Sequence, residues 1–187
     1  LISEFLNSHG IQTHYHADKL YEQPIIKDLI ALIHIWGKTD KSEHALIRLL
    51  RNSMGTEKIK CLIKKYNNEK PVISFTDYAL LENNISEKMR NIIKGIYQIK
   101  TQNTADLLSN ILKIGQFYHE QEWENFITKK KWHALNRFQE VVGTYCLNYS
   151  QKDPYAFIDF INIQMEVNDE ILPPLDILRD LSAIKIM

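Results

Sequence analysis

Apolar residues recur at helical spacing along most of the chain, and the most regular stretch runs from Leu20 to Leu50. Pro24 opens it, because a fixed φ and a missing N–H suit the first helical position. Ile25, Ile26, Leu29, Ile30, Ile33 and Trp36 follow at the i, i+3, i+4 spacing of a buried stripe. Gly37 stands where a helix C-terminus takes a left-handed residue. A second helix is predicted behind Ser42 as its N-cap, burying Ala45, Leu46, Leu49 and Leu50.

The flanking segments follow the same logic. Leu1, Ile2, Phe5 and Leu6 make one face of a short helix ended by Gly10, and Ile11 to His16 alternates loosely as a short strand. Residues 51–56 read as a tight turn, with Thr56 capping a helix that buries Ile59, Leu62, Ile63 and Tyr66. Ser74 or Thr76 caps a short helix to Leu81, and Ser86 caps a longer one carrying Met89, Ile92, Ile93 and Ile96. Thr104 opens another, with Leu107, Leu108, Ile111 and Leu112, and Gly115 closes it.

Residues 116–131 are aromatic and charged, irregular or part-helical. Trp132 to Tyr149 then has the period of a long helix through Leu135, Phe138, Val142 and Tyr145. Asp153-Pro154 restarts a helix that buries Phe157, Ile158 and Ile161. Residues 167–174 form an acidic, proline-marked connector, and residues 183–187 end as a short alternating strand whose one obvious partner is the 11–16 segment. The expected fold class is mainly α, a helical insertion with strand pieces near both termini. Such a block is expected to emerge from another domain's sheet, so the chain is expected to be a piece of a longer protein.

Composition narrows the function only a little. At 187 residues the chain can bury one sizeable core, and 44% hydrophobic with 25% charged residues is ordinary for a globular protein. No apolar run reaches the roughly 18–20 residues that span a bilayer, so no membrane partner is expected. Zero net charge argues against a nucleic-acid footprint over the whole surface and leaves local patches open. Cys61 and Cys146 lie far apart inside helical patterns, which predicts two buried thiols and a cytoplasmic setting.

Motif fragments fall short of catalytic sites. Gly37-Lys38-Thr39 imitates the end of a phosphate-binding loop, but position 32 is Leu where that loop needs glycine, and the tripeptide follows a helix. His119-Glu120 begins a zinc signature whose second histidine position is Trp123. His14 and His16 share a strand face without a third ligand at metal spacing. No catalytic, cofactor or metal site is expected within these residues.

Two basic clusters remain as candidates. Arg51, Lys58, Lys60, Lys64 and Lys65 surround the Gly55-Thr56 turn, where backbone N–H groups at a helix start can hold a duplex phosphate without reading sequence. Lys129, Lys130 and Lys131, near Trp123 and Trp132, combine charge with a stacking surface for a strand. For both, a solvated charged face is the plain alternative.

The run Gly10-Ile11, then Leu20-Tyr21-Glu22, Pro24 to Leu29 and Ala45 to Leu50, resembles the UvrD/Rep family of superfamily-one DNA helicases. In that family a segment of the form E-x-L-x-x-x-G-I-P-Y, then F-F-x-x-x-E-I-K-D and an apolar helix, leaves the second motor domain for an inserted accessory subdomain. Glu4-x-Leu6 and Ile26-Lys27-Asp28 match parts of it. Arg51-Asn52 followed by Gly55 looks like a shortened form of the family's N-x-P-x-x-G-I-G turn, which contacts duplex DNA. Residues 183–187 look like the strand before the motif T-x-H-x-x-K-G-L-E.

The resemblance implies residues 1–18 as the end of a motor domain, 19–172 as the all-helical accessory subdomain, and 173–187 as the return into the motor. It implies an ATP-dependent 3′-to-5′ helicase as the parent, with ATP and Mg bound outside these residues. Expected partners are DNA, as a tailed duplex or a strand–duplex junction, and the rest of the motor. The rival expectation is a non-enzymatic helical module presenting Trp123, Trp132, Tyr145 and Tyr149 to a partner protein or to another helicase or nuclease subunit.

Overall fold

Helix α1 (Pro24–Gly37) is the axis about which the rest is packed. Nine of its 14 residues are buried, including Ala31, Leu32 and Ile35 outside the predicted stripe. A helix apolar on every side must be covered on every side, and five other helices and a 3-10 turn at Leu20–Glu22 supply that cover. The single-stripe expectation was therefore too narrow. A computed structural model describes residues 13–15, 19–117, 126–148, 153–167 and 184–186, with the backbone alone considered at 13–15, 126–129, 167 and 184–186.

The remaining helices are α2 (Ser42–Met54), α3 (Thr56–Glu69), α4 (Phe75–Leu81), α5 (Glu87–Gln98), α6 (Thr104–Ile114), α7 (Phe126–Asn148) and α8 (Pro154–Val167). Helices α2, α5, α6, α7 and α8 all pack on α1, whereas α3 packs on α2 and α4 at one side of the body. The mainly α fold class holds. Strand β1 (Thr13–Tyr15) pairs in parallel with β2 (Ile184–Ile186), Thr13 opposite Ile184, so the whole helical body lies between the two paired strands. This is the partner expected for the C-terminal strand.

Of the predicted core positions, Leu46, Leu50, Ile59, Ile93, Ile96, Leu107, Ile111, Phe138 and Phe157 are buried. Ile25, Ile63, Tyr66, Met89 and Ile92 are instead half-buried at the edge of the core, where the helix stripe meets solvent. The aromatic side chains of α7 and α8 interlock, with Tyr145 and Phe157 rings 5.0 Å apart.

Helix ends differ more often. The left-handed residue after α1 is Lys38 (φ 48°), and Gly37 stays helical. Its smallness serves packing instead: a Cβ there would lie 2.6 Å from Cδ1 of Ile158 on α8. Ser42 is the first residue of α2, its hydroxyl donating back to the Thr39 carbonyl rather than capping. Ser74 and Ser86 do cap, each accepting an N–H in the first turn, and Asp153 accepts from Tyr155 and Ala156. Thr104 is buried as the first residue of α6, and the cap is Asn103. Gly115 follows α6 in a right-handed conformation.

The thiol expectation fails for Cys61, which is exposed, while Cys146 is half-buried and both are free. Ile59 and Leu62 hold the core-facing positions of α3, and Cys61 falls off that stripe. No helix among the described residues is long and apolar enough to cross a membrane.

Candidate nucleic-acid interface

The predicted tight turn at 51–56 contracts to one residue. Helix α2 continues through Met54, Gly55 alone breaks the chain, and α3 starts at Thr56. Gly55 has φ 87° and ψ 159°, a region essentially reserved for glycine. Thr56 is therefore the first helical residue and not the cap. No side chain caps α3, so the N–H groups of its first turn face outward without a side-chain acceptor.

Around this junction the cations divide into two sets. Lys60 pairs with Glu57 at 2.8 Å, and Lys65 with Glu82 at 2.6 Å. The hydrogen bond to Glu82 raises the pKa of Lys65, which is committed to that partner. Arg51, Lys58 and Lys64 are exposed and make no ion pair among the described residues. The carboxylate of Glu57 in the first turn opposes an incoming anion, and its pairing with Lys60 offsets that charge.

The Asn52 side chain is engaged within the protein. Its side-chain amide donates to both carboxylate oxygens of Asp28, at 3.2 and 3.3 Å. Arg48 approaches Asp28 at 2.9 Å through Nε and donates from Nη2 to the Pro24 carbonyl at 3.2 Å. Partial burial raises the Asp28 pKa, outweighing the lowering effect of Arg48. Asp28, within the Ile26-Lys27-Asp28 run, thus ties the last turns of α2 to α1. That tie orients the Gly55 junction.

The second cluster sits elsewhere. Lys129, Lys130 and Lys131 lie in α7, which starts six residues before the predicted Trp132 and packs on α1, α6 and the 3-10 turn. Lys130 and Lys131 are exposed and Trp132 is half-buried. Trp123 and Tyr149 lie outside the described residues, as do His119, Glu120 and His16. The first cluster lies on α2 and α3 and the second on α7; α2 and α7 both pack on α1. Tyr145, offered as a partner-facing aromatic, is a core residue at 3% exposure.

Gly37-Lys38-Thr39 ends a helix, where carbonyls rather than N–H groups point outward, and Lys38 N–H itself satisfies the His34 and Ile35 carbonyls. The Thr39 hydroxyl lies 2.8 Å from Nδ1 of buried His34. No cluster of potential metal ligands occurs among the described residues.

One site escaped the sequence pattern. Trp36, Lys38, Tyr97, Lys100, Thr101 and Tyr155 line a cleft of about 730 Å³ where the end of α1, the α5–α6 connector and the start of α8 converge. These positions are up to 119 apart in sequence, and Trp36 reads there simply as core. Compared with known proteins, the chain matches no protein-family model, no curated protein and no solved structure.

Proposed function

We propose that this chain is an accessory helical subdomain of an ATP-dependent DNA helicase of the UvrD/Rep type, engaging duplex DNA through the α2–Gly55–α3 junction without sequence preference. The family part of this proposal draws on the sequence resemblance. The observation that carries the contact is the junction: outward N–H groups of an uncapped helix start, flanked by the uncommitted cations Arg51, Lys58 and Lys64. Such a site positions a phosphate backbone and reads no base.

A salt titration with a tailed duplex tests it. Three phosphate contacts predict a slope of log affinity against log salt of about −3, and Arg51→Ala or Lys58→Ala should each reduce it by about one. Lys88→Ala, at an exposed position of α5, should leave it unchanged. Absent binding at low salt, or salt-insensitive binding, sinks the proposal. The protein-docking alternative draws on another surface, the exposed Val72, Ile73 and Leu81 around α4. Retained partner capture without DNA binding would favour it.

A further inference from the structure

The cleft at the end of α1 is built from three aromatic rings and two lysines, with no carboxylate among its described lining residues. Trp36 is buried and fixed: its Nε1 donates to the Ile99 carbonyl at 3.0 Å. Tyr155 leans on it, ring centroids 5.0 Å apart and planes inclined by 31°. Yet Tyr155 is 57% exposed, so one ring is held by a rigid neighbour while much of its surface faces water. Lys38, in its left-handed conformation, places Nζ 5.5 Å from the centroid of the Tyr97 ring. Lys100 and Gln102 are exposed on the connector that forms the opposite wall.

We propose that this cleft is a contact site for single-stranded nucleic acid, one base stacking on Tyr155 while Lys38 and Lys100 hold the adjoining phosphates. An exposed aromatic on a fixed support loses little freedom on stacking, and stacking with flanking cations is how sequence-tolerant strand sites are built. The two lysines give the lining the sign that a phosphate chain requires, opposed by the Asp153 carboxylate, which accepts from the Tyr155 N–H at 3.1 Å, and by the charge of Asp77 felt at Tyr97. The contact stands on different residues from the Gly55 junction and does not depend on it.

The test uses the whole chain and a fluorescently labelled ten-residue oligothymidylate, followed by anisotropy and by quenching of tryptophan emission. Tyr155→Ala should weaken binding by at least about fivefold, and Tyr155→Phe should retain it. Lys38→Ala and Lys100→Ala should each reduce the salt slope by about 0.7, the single-strand value per phosphate. Because Tyr155 is largely exposed, unchanged far-UV circular dichroism should accompany its loss. Arg51→Ala should weaken the duplex and spare the oligonucleotide, which separates failure of this proposal from failure of the duplex contact. Equal affinity of wild type and Tyr155→Ala overturns the strand site. Thymidine monophosphate competing as well as the oligonucleotide would make the cleft a free-nucleotide site and overturn it equally.

Discussion

Gly37→Ala should destabilise this protein, against the ordinary expectation for a helical glycine. In an open helix interior the change gains about 0.8–1.0 kcal/mol, and less at a last helical position such as this one. Here the new Cβ would sit 2.6 Å from Cδ1 of Ile158 and 3.4 Å from Cγ2 of Thr39. Carbon atoms prefer about 3.5–4.0 Å, so the first contact is short by roughly 1 Å. Ile158 is 3% exposed and cannot swing into solvent. Overpacking of this kind costs about 1–3 kcal/mol, leaving a net loss of roughly 0.5–2 kcal/mol. At this chain size that corresponds to a fall in Tm of about 1–8 °C.

The decisive assay is a double-mutant cycle with Ile158→Val, which removes the clashing Cδ1. Alone, Ile158→Val should cost about 0.5–1.5 kcal/mol for the lost burial. Added to it, Gly37→Ala should become neutral or mildly stabilising, a coupling of about 1–3 kcal/mol. Urea unfolding followed by circular dichroism and by tryptophan emission supplies the midpoints, compared at a common m. Effects that add to within about 0.5 kcal/mol would refute the close-approach account, as would a rise in midpoint on Gly37→Ala alone.

Other glycines should behave differently for stated reasons. Gly55→Ala meets no atom within 4 Å, but φ 87° strains any side chain, so a loss of about 1–3 kcal/mol is expected in chemical denaturation. Gly143→Ala, with right-handed helical backbone and open space, should instead gain up to about 1 kcal/mol, and a loss would contradict the open geometry of α7. His34 gives a pH dependence. Burial, then the charge of Lys41, lowers its pKa below 6.5, so the unfolded chain takes up its proton first on acidification. Stability from this residue is full above pH 6.5 and is lost as pH falls through the folded pKa. His34→Gln should flatten that part of the stability–pH curve; an unchanged slope would assign the effect to another group.

Much of the fold was legible because core positions obey a simple period. Leu46, Leu50, Ile93, Ile96, Leu107, Ile111 and Phe157 announce themselves by spacing, and the structure buries each. Caps were legible where a side-chain oxygen is left to accept an N–H of the first turn, as at Ser74, Ser86 and Asp153. They misled where a tertiary neighbour decided the matter. Gly37 looks like a C-terminal glycine until Ile158 arrives from residues far along the chain. The Gly55 junction was found by its glycine and its basic flanks, but the ion pairs that withdraw Lys60 and Lys65 depend on Glu57 and on Glu82 of a later segment. The cleft beside Tyr155 has no local signature at all.

The two surfaces also differ in how firmly they are held. The Gly55 junction hangs from α1 through Asp28, Arg48 and Asn52, three side chains whose net value is a balance of burial against charge. Its position should respond to changes at Asp28. The aromatic cleft is instead anchored by the Trp36 indole on the Ile99 carbonyl and by ring packing against Tyr155. Asp28→Ala should therefore weaken duplex engagement at the junction while leaving oligonucleotide binding at the cleft intact, because the carboxylate touches α2 and the cleft draws on the far end of α1. Loss of both together would mean that α1 transmits the change along its length, and the two contacts would have to be treated as one coupled surface.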